Sequence, residues 1–336
     1  VRWNWTRCCW HFRIIELRES DKLHSSKRHL LGLILHLKNH QIDKAKWDAA
    51  LLHSSNRKIY ACSWYLDVVS PNWEALVSDN YEEIFPLTTK KKFTFQYLFT
   101  PFFVQQLGLF FAQKKDAERC KSFIKQIPKQ LKLVELNLND ENFFEDEKWD
   151  VFENQNHLLP LKNNYSSIST SYSSNHTRNI KKSKDLGLAL AHQASVTDII
   201  QLFRNDRGSE LKSFGKKQYQ LFECLCDAVK KHAELIVLGV VDESKKLICG
   251  AVLFKFNNTI TFIFSGNSKD GKKKGAMFFL IDEIIKMHSN QPLTLDFEGS
   301  NNVGLAKFYK GFGADRKPYL SIKRNNLPLL VRFFKK

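Results

Sequence analysis

The stretch LTLDFEGSNNVGLAKFYKGFGA, Leu293 to Ala314, decides the fold. Its alternating start predicts a buried strand that runs to about Phe297, and Gly299 breaks it. Ser300 or Asn301 can cap a short helix over Asn302 to Lys310. Gly311 followed by Phe312 ends that helix with a glycine and its customary hydrophobic contact. Leu305, Phe308 or Tyr309, and Phe312 are expected on the inward face. Architecture accounts for the phenylalanines, but not so readily for three other residues. Asp296 and Glu298 alternate at the strand end and share one face, while Phe297 takes the other. Two carboxylates so placed are costly unless solvated, paired or used as a base. Tyr309, if buried, needs a partner for its hydroxyl.

Upstream of this stretch, Gly271-Lys272-Lys273-Lys274-Gly275-Ala276 opens an amphipathic segment. Ala276, Phe279, Leu280, Ile284 and Met287 fall on one helical face, so the helix packs on a sheet. Its free N–H groups and positive dipole suit a phosphate, with Gly275 allowing close approach and the three lysines adding charge. An exposed lysine turn before an ordinary helix explains the same residues equally well. Further upstream, Ser173 or Ser174 can cap a basic helix, Asn175 to Lys184, that Gly187 ends. Arg178, Lys181 and Lys182 share a face there, an anion patch or plain surface. His176 reads as a solvated helix residue rather than a base.

The chain has 336 residues, 43% of them apolar, which is enough for two cores. Its net charge of +17 favours anionic partners, although the lysines are spread along the chain. Seven scattered cysteines without a two-residue gap read as reduced, largely buried thiols, with no metal site. The best apolar run, Leu30 to Leu37, is far too short for a membrane span, and the expectation is a cytoplasmic protein. Residues 1–30, with Trp3, Trp5, Trp10, Cys8 and Cys9 crowded together, look like an extension of uncertain order. No Ser-His-Asp order, zinc-ligand spacing or phosphate-binding Walker loop is present, which argues against hydrolase, metalloenzyme and nucleotide-triphosphatase classes.

The element order supports a tandem α/β unit. The second half predicts helices, then a meander over Leu235 to Val241, Leu247 to Phe256 and Thr259 to Phe264, with Asn257-Asn258 as a hairpin turn. A helix, the Leu293 strand, the short helix and a last strand near Tyr319 to Lys323 follow. The first half predicts a blurred version: helices over Gln41 to Leu52 and from Ser63, and strands at Trp73 to Val77, Ile84 to Leu87, Phe93 to Phe99 and Phe103 to Phe111. A helix over Lys114 to Ile127 and strands at Leu131 to Leu138 and Leu158 to Ile168 complete it. Residues 139–156 are acidic and irregular, and are expected to be a surface insertion. The boundaries expected are 31–170 for one unit and 171–336 for the other.

Asp296-Phe-Glu-Gly-Ser with Gly304-Leu-Ala-Lys-Phe-Tyr-Lys-Gly-Phe-Gly313 resembles the C-terminal signature of the Fem family, tandem-domain relatives of the GNAT fold. Ser173 to Lys182 resembles the basic helix that opens the second Fem domain. The resemblance implies two GNAT-like domains in an α/β (α+β) fold, each with a mixed, mostly antiparallel sheet flanked by helices. It also implies an acyltransferase. GNAT enzymes transfer an acyl group from coenzyme A to an amine. Fem enzymes transfer an amino acid from aminoacyl-tRNA to a cell-wall precursor. Tyr309 stands where Fem sequences tend to carry a lysine, and in GNAT enzymes a tyrosine there often protonates the departing thiolate. The expected reaction is therefore acyl transfer from an acyl-CoA, with Glu298 or Asp296 as base, Tyr309 as acid and an N–H of a bulged strand for the oxyanion. Residues 271–276 would hold the donor's pyrophosphate, and Arg178, Lys181 and Lys182 the phosphates of a substrate. Aminoacyl-tRNA is the alternative donor, and a basic binding module without chemistry is a third reading.

Overall fold

The computed structural model describes residues 33–328, apart from 93, 114–116 and 212–213. The expected extension at 1–30 lies outside the described residues. The first half contains β1 (Ile34–Leu37), α1 (Lys44–His53), α2 (Ser63–Val69), β2 (Glu74–Ser78), β3 (Glu83–Leu87), β4 (Thr89–Lys92), β5 (Phe95–Leu98), β6 (Phe110–Phe111), α3 (Ala117–Lys125), β7 (Leu133–Asn137) and β8 (Asp150–Pro160). The second contains α4 (Tyr165–Ser169), α5 (Ser174–Asp185), β9 (Ala189–Ala191), α6 (Val196–Arg204), α7 (Arg207–Glu210), α8 (Lys216–His232), β10 (Glu234–Val241), β11 (Leu247–Phe256) and β12 (Thr259–Asn267). It ends with α9 (Lys269–Lys274), α10 (Ala276–His288), β13 (Thr294–Asp296), α11 (Val303–Lys310) and β14 (Asp315–Asn325).

Two sheets result. One has the order β1-β2-β3-β6 and is antiparallel; the other has ten strands in the order β4-β5-β7-β14-β8-β13-β12-β11-β10-β9. In the large sheet only β5·β7 and β12·β13 pair in parallel among the described strands. Strand β8 comes from the first half yet lies between β14 and β13 of the second, so the halves share one sheet.

Alternation divides the core between the faces of this sheet. On β11, Val252 and Phe254 join one apolar cluster with Trp47, Trp73, Phe222 and Phe85, while Cys249, Ala251 and Leu253 join the other with Leu280, Ile284 and Phe312. The register shifts between Val252 and Leu253, which face Phe264 and Phe262, so Ile263 is the extra residue of a β-bulge. The bulge resets the alternation: Phe262 faces the second cluster, and Ile263 and Phe264 both face the first.

Several local expectations differ from the fold. Phe103 to Phe111 forms strand only at Phe110–Phe111. Leu158 to Ile168 is strand only to Pro160, and Tyr165–Ser169 is helix capped by Asn164, whose side chain accepts from Ser167 N at 2.9 Å. The irregular stretch ends earlier than expected, because Asp150 already opens β8; Asn139 and Asn142 are buried, their amides donating to the Leu109 carbonyl at 3.0 and 2.9 Å. Helix α2 does begin at Ser63; Cys62 stands at its N-cap, and Ser63 donates its hydroxyl to Asp48 at 2.5 Å. The Asn257-Asn258 turn is present, with Asn257 at φ 51°. Cys62, Cys120, Cys226 and Cys249 are buried free thiols and Cys224 is an exposed one.

Candidate active site

Strands β12 and β13 run parallel for three pairs only, Thr259↔Thr294, Ile260↔Leu295 and Thr261↔Asp296. Beyond that point β12 stays with β11, while the chain after Asp296 stays with β8, Phe297 N donating to the His157 carbonyl at 3.0 Å. The two strands part there and leave an apex between them.

Asn156 of β8 shapes the apex. Its amide nitrogen donates to Asp296 Oδ1 at 2.9 Å, and its oxygen accepts from the backbone N–H groups of His157 and Gly299, both at 2.8 Å. His157 Nδ1 lies 2.9 Å from the Gly299 carbonyl. Glu298 sits in this clasp at φ 53°, a left-handed conformation that costs a non-glycine residue roughly 1–3 kcal/mol. Its own N–H donates to Asp296 Oδ1 at 2.9 Å.

The opposite wall comes from the first half. Trp47 is fully buried and donates its indole N–H to the Ala61 carbonyl at 2.8 Å, which pins the single turn Ile59–Ala61 over the sheet. That turn aims Tyr60 at Glu298, to whose Oε1 the phenol donates. Lys58, just before it, bridges Asp140 at 3.0 Å. Between the walls lies a cavity of about 200 Å³, running from the Asn257-Asn258 turn to the apex; Arg57, Lys58, Tyr60, Thr261 and Asp296 are among its lining residues.

Electrostatics single out the two carboxyls. Burial raises the pKa of Asp296, only partly offset by the Lys58 charge and the donors from Glu298 and Asn156. Burial lifts Glu298 well above the usual carboxylate range; the Tyr60 hydrogen bond pulls it down and the Asp296 charge pushes it further up. Burial and the Glu298 charge hold the Tyr60 phenol well above its ordinary value. Burial works against the Lys58 ammonium, yet Asp140 and then Asp296 outweigh it, and the amine is held charged. Asp296 differs from Glu298 in one respect that matters for chemistry. Its Oδ1 has two donors, while its Oδ2 has no hydrogen-bond partner among the described residues and the side chain lines the cavity.

Tyr309 lies on the other side of the strand end. Its ring stacks on Phe297, centroids 4.6 Å apart, and its hydroxyl makes no hydrogen bond among the described residues. Burial, with the Glu298 charge, pushes its pKa up to about 12. Helix α11 carries it as expected, but Asn302 is the cap, accepting from Leu305 N at 3.1 Å, and Leu305 is exposed rather than inward. Gly311 is required by a neighbour, since a Cβ there would run into the His176 ring. His176 is accordingly buried rather than solvated: Nε2 lies 2.8 Å from the Phe308 carbonyl and Nδ1 2.8 Å from Ser173 Oγ.

The two basic segments adjoin. Residues 269–274 form α9, capped by Ser268, and Gly275 turns the chain at φ 73° into α10. The close approach at Gly275 is taken by α5, not left for a phosphate: a Cβ there would meet Ser183 Oγ at 2.9 Å, and that hydroxyl lies 2.7 Å from the Asn179 carbonyl and 3.0 Å from those of Gly275 and Lys274. Gly271 is buried and Ala276 fully so. Lys274 pairs with Asp242 at 3.1 Å and Asp270 at 2.9 Å, and Lys272 pairs with Asp206. Lys182 Nζ donates to the Lys273 carbonyl at 2.9 Å. Arg178, Lys181, Lys182 and Lys273 are exposed, and none of them pairs with a carboxylate among the described residues.

Lys58, Tyr60 and Asn156 escaped the sequence analysis. The basic pair Arg57-Lys58 beside an aromatic residue was the one local hint, and nothing local connects Tyr60 to a residue 238 positions away. Among the described residues no group of three or more His, Cys, Asp or Glu side chains is placed to hold a metal, and no helix is long and apolar enough to cross a membrane.

No model of a known protein family matches the chain, and no curated protein matches its sequence. Solved structures do. FemX superposes with a TM-score of 0.63 over 90% of this chain and 100% of FemX, at 11% identity. A conserved protein of unknown function from Bacteroides thetaiotaomicron VPI-5482 superposes with a TM-score of 0.54 over 84% of this chain and 97% of its own, also at 11% identity. At such identity the likeness speaks for the fold alone: the chain has the mixed α/β architecture seen in FemX.

Proposed function

We propose that this chain is a cytoplasmic N-acyltransferase of the Fem/GNAT type, in which Asp296 is the general base for an acceptor amine. One observation carries the reading. At the point where β12 and β13 part, a buried carboxyl with a raised pKa turns a partnerless oxygen into a polar cavity. A buried carboxylate lacking such a use is a cost to the fold. The cavity walls come from both expected units, 31–170 and 171–336, which fits an acceptor held between them.

The reaction follows from these positions. The amine gives a proton to Asp296 Oδ2 as its nitrogen attacks the carbonyl of an activated ester or thioester. Past Thr261 the side of β12 that faced β13 has no strand partner, and a backbone N–H there would serve the oxyanion. Collapse expels the thiolate or alkoxide and leaves an amide. Glu298, held by Tyr60, is a second buried carboxyl, and the charge of Asp296 pushes its pKa further up. Tyr309 supplies the proton for the leaving group. An Asp296→Asn protein that is folded and still transfers acyl groups at the wild-type rate would falsify this reading.

The donor is the finer question. A coenzyme A thioester with its pyrophosphate on residues 271–276 is the first reading. The packing of α5 against Gly275 favours the second, an aminoacyl-tRNA. It closes the approach for one pyrophosphate, yet it sets Arg178, Lys181, Lys182 and Lys273 side by side on the surface, as a phosphodiester backbone requires. Titration with charged tRNA and with acyl-CoA at two salt concentrations separates them. Steeply salt-dependent binding of tRNA alone selects the second reading, and binding of acyl-CoA alone selects the first.

A further inference from the structure

The cavity under the apex is polar in a specific way. Thr259 and Thr261 of β12 and Thr294 of β13 line it, and none of their hydroxyls has a hydrogen-bond partner among the described residues. Thr261 is 4% exposed, where a valine would pack as well, and its hydroxyl, unbonded by the described residues at the cavity wall, is available to a bound polar group. The cavity's two cations are in different states. The charge of Lys58 is neutralised by Asp140 at 3.0 Å. Arg57 donates only to the carbonyls of Ser54 at 3.1 Å and Leu52 at 3.4 Å, and meets no carboxylate among the described residues. One wall thus offers an unneutralised guanidinium, the apex offers the free oxygen of Asp296, and three hydroxyls lie on the sheet.

We propose that this cavity takes a small amine that also carries a carboxylate, the amine at Asp296 and the carboxylate at Arg57. The guanidinium fork matches a carboxylate, and the hydroxyls can bond to either end of such a molecule. About 200 Å³ lies below the usual range for drug-sized ligands, so the bound part is an amino acid or something of that size. The inference rests on the reading of Asp296 as the base that receives the acceptor, and names the acceptor's class.

The test is binding without any donor. Glycine, β-alanine, γ-aminobutyrate and L-lysine are titrated calorimetrically into the full chain beside methylamine, ethylamine, propylamine and cadaverine, which match them in order but lack the carboxylate. At least one amino carboxylate is expected to bind, and its matched amine to bind about tenfold or more weakly. Arg57→Gln is expected to erase that preference, and Arg57→Lys, which keeps the charge, to restore part of it. Thr261→Val, close in shape, is expected to weaken the amino carboxylate by a smaller factor. Equal binding of the matched pair, no binding by any amino carboxylate, or a preference that survives in a folded Arg57→Gln protein overturns the proposal. Turnover is read separately. Carboxylate-selective binding with no transfer from any donor removes the transferase reading and leaves this one. Transfer to both members of a pair at the same rate does the reverse.

Discussion

Consecutive residues of β13 and its extension belong to two different environments. Leu295 and Phe297 point into rings: Phe297 lies 4.6 Å from Tyr309, 6.4 Å from Phe262 and 6.5 Å from Phe312, centroid to centroid. Thr294 and Asp296 point across the sheet into the polar cavity under Tyr60. The aromatic side gains its stability from burial and carries no charge, so shape is all it requires. The polar side holds two carboxyls that burial disfavours, and it persists because Asn156, Tyr60 and the Glu298 amide restrain it. One face pins the strand and the other uses it, and the difference can be tested from both sides.

The largest effect is expected on the polar side. Asp296→Asn should reduce transfer by about 10²–10⁴-fold, the range for losing a general base, in a steady-state assay with whichever donor binds. Stability should hold, because the amide oxygen still accepts from Asn156 and the Glu298 N–H. Its mirror on the aromatic side is Phe312→Ala. Phe312 is fully buried among Tyr172, His176 and Phe308, and removing its ring should cost about 3–5 kcal/mol in denaturant unfolding. If Asp296→Asn unfolded the chain while Phe312→Ala spared it, the division between the faces would be wrong.

These two sides differ as much in how far the sequence announces them. The strand, the helix after it and the aromatic face are legible because periodicity is local, and Asp296 and Glu298 stand out as carboxyls at a strand end. The helix cap is misread for a local reason of another kind. Asn301 is a good capping residue, but its oxygen accepts from Gln155 N at 2.9 Å and its amide donates to Asn154 at 2.6 Å, so Asn302 caps instead. His176 is misread because its burial depends on Gly311, on another helix. Tyr60, Lys58 and Asn156 are invisible from sequence, since their roles arise only when distant segments share one sheet.

A next smaller effect concerns pH. Glu298 and Asp296 both have folded pKa values above their unfolded ones, so the stability they provide is complete below the unfolded carboxyl range and is lost as pH rises through the raised values. Glu298→Gln should therefore be more stable than wild type at neutral pH, lose that advantage toward pH 4, and show a flatter stability curve between. Denaturant midpoints across that window check the sign. A variant less stable than wild type at neutral pH would show that the ionised Glu298–Tyr60 pair is a net support. Gly311→Ala is expected to cost about 1–3 kcal/mol, the range for overpacking, because the His176 ring has to yield.

The smallest effect on stability is expected from Tyr309→Phe, and it bears most directly on the donor. The hydroxyl makes no hydrogen bond among the described residues, so its removal should change stability by no more than about 0.5 kcal/mol. Any loss of rate then belongs to chemistry. With its pKa pushed up to about 12, the phenol is a poor match for a thiolate, which needs little help in leaving, and a better one for an alkoxide, which cannot leave without a proton. If the donor is an aminoacyl ester, Tyr309→Phe should lower kcat by about 10²-fold or more and leave KM nearly unchanged. If the donor is a thioester, the variant should retain most of its rate. The same substitution thus sorts the two donors and probes the contrast between faces, since Tyr309 packs with the rings while its pKa responds to Glu298, the carboxyl that Tyr60 holds on the polar side.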